Sequence, residues 1–96
     1  SLPFVSILIP IRNESAYIQR CLQAVLAQDY PAELMEILIA DGMSTDDTRL
    51  ILQKAQSENP QIKLIDNPQH IVPTGLNSLI SQAKGEVLIR VDGHCV

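Results

Sequence analysis

Asp92-Gly93-His94 follows an aliphatic run, Val87-Leu88-Ile89-Arg90-Val91. A carboxylate and an imidazole flanking one residue are both side chains that ligate divalent cations. The glycine between them permits unusual backbone angles and close approach of a ligand. Taken alone, the same three residues also read as a turn with a polar histidine after it. Two more polar clusters sit behind aliphatic runs. Arg12-Asn13-Glu14-Ser15 comes after Phe4 to Pro10, and Asp41-Gly42 comes after Met35 to Ala40.

The elements that must position these clusters can be read from periodicity. Phe4 to Ile9 is a nearly continuous apolar run, as expected of a central parallel strand covered on both faces, and Pro10 is expected to end it. Ile18, Cys21, Leu22, Val25 and Leu26 have helical spacing, with Asn13 or Ser15 as the expected cap. Met35 to Ala40 reads as a second buried strand. Ser44 and Asp47 form a capping-box pattern that opens a helix with inner face Ile51, Leu52 and Ala55, stopped by Asn59-Pro60. Ile62 to Ile65 is a short third strand. Pro73 suits the first turn of a third helix with inner face Leu76, Leu79, Ile80 and Ala83, terminated at Gly85. Val87 to Val91 is the fourth strand, buried apart from Arg90.

Alternation of strand and helix predicts an α/β fold, an open, mostly parallel sheet with helices on both faces. Right-handed crossovers and one reversal of direction predict the strand order 3-2-1-4. Ligands of such sheets sit outside the carboxyl ends, at the switch between the first and fourth strands. All three polar clusters converge there, which predicts a binding site.

Composition narrows the ligand. Over 96 residues, 46% are hydrophobic but only 3% aromatic, so the single domain 1–96 must build its core from Ile, Leu, Val and Ala. A net charge of −4 with no basic run argues against nucleic-acid binding, yet admits a nucleotide whose phosphates a metal neutralises. The turn after the first strand holds no glycine, which disfavours dinucleotide and P-loop sites. A phosphoacceptor reading of Glu14 and Asp66 leaves Asp92-Gly93-His94 without purpose. Cys21 and Cys95 show no metal or redox spacing. No structural disulfide is expected, and Cys21 reads as a small hydrophobe on the first helix. No membrane span or signal peptide is visible.

Together, Val5 to Glu14, Ala40-Asp41-Gly42-Met43-Ser44-Thr45-Asp46-Asp47-Thr48, Gly75-Leu76-Asn77 through Glu86, and Asp92-Gly93-His94 resemble the ordered motifs of family 2 glycosyltransferases. The likeness is strongest to bacterial exopolysaccharide enzymes of the succinoglycan type. It implies the GT-A fold, of which this chain would be the nucleotide-binding part, cut from something longer. It implies that Pro10, Arg12, Asn13 and Glu14 border the nucleotide of a sugar donor, commonly UDP. By the same likeness Asp41 hydrogen-bonds the base, Asp92 contacts ribose or metal, and Asp92 with His94 holds Mn²⁺, or Mg²⁺ as second choice. His94 departs from the family's Asp-x-Asp pattern, Ala40 replaces a frequent aspartate, and Met43 is an extra residue before Ser44. An inverting transfer onto a glycan or lipid-linked acceptor is implied, with its carboxylate base beyond Val96, so that this piece alone is inactive. A cytoplasmic location, at the inner face of the membrane for the whole protein, is implied as well. The competing reading is a non-catalytic nucleotide-binding or interaction module.

Several residues have plainer expected roles. Asp46 and Asp47 are helix-start charges, and Arg90 is expected to pair with Asp41 or Glu14. His70 is expected to be exposed, and Lys84-Gly85 to be ordinary helix C-terminal chemistry. The outer edge of the fourth strand is expected to be open to pairing or dimer formation.

Overall fold

The computed structural model describes residues 2–92. The order is β1 (Val5–Ile11), α1 (Ile18–Leu26), a 3-10 turn at Ala32–Leu34, β2 (Met35–Asp41), α2 (Thr48–Glu58), β3 (Ile62–Asp66), α3 (Val72–Gln82) and β4 (Val87–Arg90). All pairings are parallel and the strands lie in the order 3-2-1-4, as expected. All seven residues of β1 and of β2 are buried, which is why both read as unbroken apolar runs.

Odd-numbered residues of the central strands (Ile7, Ile9, Ile37, Ile39) pack with Ile18, Leu22 and Leu52 of α1 and α2. Even-numbered ones (Leu8, Leu38, Ala40) meet Leu79 of α3 on the other face. The sheet therefore carries helices on both faces. No helix among the described residues is long and apolar enough to cross a membrane.

Details depart from expectation for local reasons. β1 does not stop at Pro10 but runs to Ile11. Glu86 and Val91 donate backbone N–H bonds to the carbonyls of Phe4 and Leu8, so even-numbered residues of β1 face β4. The β1–β4 ladder ends at Leu8 opposite Arg90. Pro10, whose nitrogen has no hydrogen to give, falls just past that end and loses no rung. α1 begins without a side-chain cap, because Asn13 and Ser15 are engaged elsewhere; the Glu14 carbonyl accepts from Tyr17 and Ile18 instead. The expected Ser44–Asp47 capping box is absent too. Asp46 Oδ1 takes the N–H of Thr48 at 2.9 Å, and Asp47 gives no side-chain cap bond.

In α3, Gly75 and Leu79 form the buried stripe, and Ile80, expected inside, is 47% exposed. Gly75 brings the helix close to the sheet: a Cβ there would stand 3.0 Å from Asn67 Nδ2 and 3.3 Å from the Ala40 methyl. β4, expected to be buried, is exposed along its length, since among the described residues only β1 pairs with it. Cys21 is disulfide-bonded, which corrects the expectation of no disulfide. The helix packs against the stretch after β4, with Cys21 Sγ 3.6 Å from the Asp92 carbonyl oxygen, so distance along the chain is no obstacle. The other half of the bond lies outside the described residues.

Candidate functional site

Three loops leave the carboxyl edge of the sheet and are tied to one another there. After β1, Asn13 takes a left-handed conformation (φ 53°), which asparagine tolerates better than most residues. This turns its backbone N–H onto Ser44 Oγ (2.9 Å) and lets its Oδ1 accept from the N–H of Thr45 (2.8 Å). The next two amides follow the same course. Glu14 N–H donates to Thr48 Oγ1 (2.9 Å) and Ser15 N–H to Asp46 Oδ2 (3.2 Å). The Thr48 hydroxyl, first of several causes, holds the Asp46 carboxyl down at about 2.

Gly42 sits where the loops cross. Arg12 Nε donates to its carbonyl at 3.0 Å. A Cβ on Gly42 would lie 3.3 Å from Arg12 Cβ and Cδ and from the Cα of His70 in the third loop. His70 is exposed, as expected, and it too is left-handed (φ 66°), as is Met43 in the second loop (φ 57°). Each of the three loops thus contains one non-glycine residue in a sparsely populated conformation, a form of strain that gathers at functional sites.

Asp41 lies at the centre, its side chain wholly without exposed surface. Oδ1 accepts from the Ser44 N–H and hydroxyl, and Oδ2 from Arg49 Nη1 at 2.8 Å. The same Nη1 reaches Asp66 Oδ1, at the end of β3, at 2.7 Å. Arg49 is held firmly protonated, first by its hydrogen bond to Asp66 and then by that to Asp41. Asn67, nearly buried, ties the third loop down: its N–H meets the Asp41 carbonyl (2.8 Å) and its Nδ2 the Ile71 carbonyl (2.7 Å).

The residues singled out from sequence are brought together only in part. Pro10 is buried in the floor, Arg12 and Asn13 are exposed on the rim, and Glu14 is half-buried between them. Asp92 is exposed beyond β4, two residues past the rung that joins Arg90 to Leu8. His94 lies outside the described residues. Among the described residues no three His, Cys, Asp or Glu side chains group as a metal site.

The expected pairing of Arg90 with Asp41 or Glu14 is not formed. Asp41 is served by Arg49, and Arg90 lies exposed on the edge strand with no ion pair among the described residues. Sequence reasoning passed over Arg49 and Asn67, and took Thr48 only as the last residue of the second motif. One signal was present for Arg49: a cation in the first turn of a helix opposes the macrodipole and needs carboxylates to hold it. A groove of about 410 Å³ between α1 and α2, lined by Leu22, Leu26, Ile51, Lys54 and others, contains none of these residues.

The family model of glycosyl transferase family 2 matches residues 6–96. The chain is 38% identical over 96 residues to glycosyltransferase AglE of Haloferax volcanii, covering 99% of this chain and 32% of that protein. It is 33% identical over 90 residues to the succinoglycan biosynthesis protein ExoA of Rhizobium meliloti, covering 92% and 27% respectively. Among solved structures, the mannosyltransferase PcManGT of Pyrobaculum calidifontis, in complex with GDP-Man and Mn²⁺, matches with a TM-score of 0.90 at 26% identity. That match covers 98% of this chain and 28% of the mannosyltransferase. S. aureus TarS in complex with UDP-GlcNAc matches with a TM-score of 0.83 at 28% identity, over 94% and 26%. The chain therefore spans about a third or less of the curated relatives named here.

Proposed function

Because this chain belongs to glycosyl transferase family 2, we propose that it binds the nucleotide part of a nucleotide-sugar donor at the carboxyl edge of its sheet, within a transferase that builds a glycan. One observation carries this reading: the loops after β1 and β2 are stitched together by six hydrogen bonds around a sealed Asp41, at the carboxyl ends of these two central strands. Such stitching builds a platform before any ligand arrives, and so lowers the cost of ordering it. The structural neighbours with GDP-Man and with UDP-GlcNAc support a donor of this class.

Pro10, Arg12, Asn13 and Glu14 would border the nucleotide, which we take to be UDP, with Asp41 beneath its base and Asp92 toward the ribose and diphosphate. The rim is acidic: Asp46, Asp47, Asp66 and Asp92 are exposed on it, against Arg12 and the half-exposed Arg49. A diphosphate would be repelled there without a counter-ion, and the exposed Asp92 is of a residue type that ligates divalent cations, so the acidic rim fits a divalent cation. Asp92 and His94 would hold it, Mn²⁺ before Mg²⁺ because imidazole is a poorer partner for Mg²⁺. When bound, such an ion neutralises charge on the leaving diphosphate as a Lewis acid. This chain's own residues bind and orient the donor. We assign the acceptor site, and an inverting step through a carboxylate base, to the remainder of a protein of the relatives' length.

Amide NMR titration with UDP and GDP, with and without Mg²⁺, tests the reading. The expected result is joint movement of Asn13, Asp41 and Asp92, larger with the metal. A folded sample that responds to neither nucleotide would overturn it.

A further inference from the structure

Arg49 is anchored from one side only. Its Nη1 serves both Asp41 and Asp66, whereas Nε and Nη2 donate to nothing among the described residues, and the side chain is 30% exposed. A guanidinium carries its five N–H donors in a rigid plane. Fixing one nitrogen between two carboxylates therefore aims the remaining donors in a set direction. Asp41, by contrast, is sealed and offers a ligand no surface.

Charge decides what the free edge suits. Two carboxylates around one guanidinium leave the group net negative, which disfavours a phosphate and favours a neutral acceptor such as a carbonyl oxygen. Position agrees. Asp92 follows β4 and Arg49 bridges the ends of β2 and β3, so the two stand two to three strands apart, or about 10–15 Å. A nucleotide whose diphosphate lies near Asp92 extends its base toward Arg49.

Resting on the donor-site reading above, we propose that Arg49 recognises a carbonyl oxygen of the nucleobase, and that Asp41 and Asp66 are positioning residues holding its guanidinium. The ligands selected are nucleoside diphosphates with a carbonyl-bearing base (uracil above all), and adenine, which has no carbonyl, is discriminated against.

Calorimetric titration of the full chain with UDP, ADP and pyrophosphate, each with Mg²⁺, tests this. UDP is expected to bind about ten- to a hundred-fold more tightly than ADP, the worth of a charge-assisted hydrogen bond. Arg49→Met abolishes that preference and leaves pyrophosphate affinity unchanged. Arg49→Lys, a single point donor, restores only part of it. Should Arg49→Met fail to fold, Asp66→Asn serves: Asp66 is 56% exposed, and freeing Nη1 from it is expected to shrink the UDP preference alone. Equal affinity of the wild type for UDP and ADP overturns the proposal. So does an unchanged preference, or a parallel loss of UDP and pyrophosphate, in Arg49→Met. If none of the three ligands binds the folded wild type, the donor-site reading itself falls, and this one with it.

Discussion

Two carboxylates on β2 are sealed from water, Glu36 near its start (3% exposed) and Asp41 at its end (0%), and they serve different circuits. Glu36 faces the α3 side of the sheet. It accepts from the Ser6 hydroxyl directly opposite on β1 (2.7 Å), from the Lys84 amide in the α3–β4 turn (2.8 Å), and from Lys63 of β3 at 3.5 Å. Ser6 Oγ in turn accepts the Gly85 N–H at 2.8 Å. Every partner is spent within the chain, and the circuit fastens the return into β4. Asp41 faces the other layer, and its circuit ends in a guanidinium with donors left over. A buried carboxylate is thus not by itself a sign of function. What separates the two is whether the groups satisfying it still reach outward.

The largest expected effect comes from breaking each circuit in turn. Glu36→Ala leaves Ser6, Lys84 and Lys63 without their acceptor and should cost about 3 kcal/mol in denaturant unfolding, with donor affinity unchanged in whatever remains folded. Asp41→Ala leaves Arg49 to the exposed Asp66 and takes the acceptor from the part-exposed Ser44 N–H and hydroxyl, so it should cost about 2 kcal/mol of stability, less than Glu36→Ala, while also lowering UDP affinity. Equal stability losses, or a donor defect in Glu36→Ala, would erase the distinction.

Gly85→Ala should be next. A Cβ there would stand 2.6 Å from both Ser6 N and Ser6 Oγ and 3.0 Å from the Phe4 carbonyl, so the turn must move off β1. A loss of about 2 kcal/mol is expected, read as a lower thermal midpoint. Lys84-Gly85 is therefore more than ordinary helix-end chemistry.

Acid gives the smallest effect. Burial pulls the Glu36 carboxyl upward, but the Lys84 amide, the Ser6 hydroxyl and Lys63 outweigh it, and the net direction is down. A folded-state value below the unfolded one means that the stabilisation is complete above the ordinary glutamate range and is lost as pH falls through the lowered value. Asp46 adds a loss of the same sign reaching down to about pH 2, weakened by its exposure. Stability against pH should be flat near neutrality and decline on the acid side. Glu36→Gln should start lower and decline less. A Glu36→Gln curve parallel to the wild type would show that the Glu36 circuit does not depend on its charge.

The amino-acid sequence determined the repeating elements, the parallel 3-2-1-4 sheet and the edge at which the Arg12–Glu14 turn, Asp41 and Asp92 arrive. These follow from local periodicity and from the handedness of crossovers, both properties of neighbouring residues. The partnerships were decided by the tertiary structure alone. Glu36 within Met35-Glu36-Ile37-Leu38 reads as one polar interruption of a strand, and only the register of β1 against β2 sets Ser6 beside it. Arg49 reads as one more helical residue until β3 brings Asp66 alongside Asp41. Asn13 looks like a cap until its left-handed turn hands its bonds to Ser44 and Thr45. Each bond joins groups far apart in the chain, and burial makes an unpaired polar group costly enough that packing, not propensity, chooses the partner.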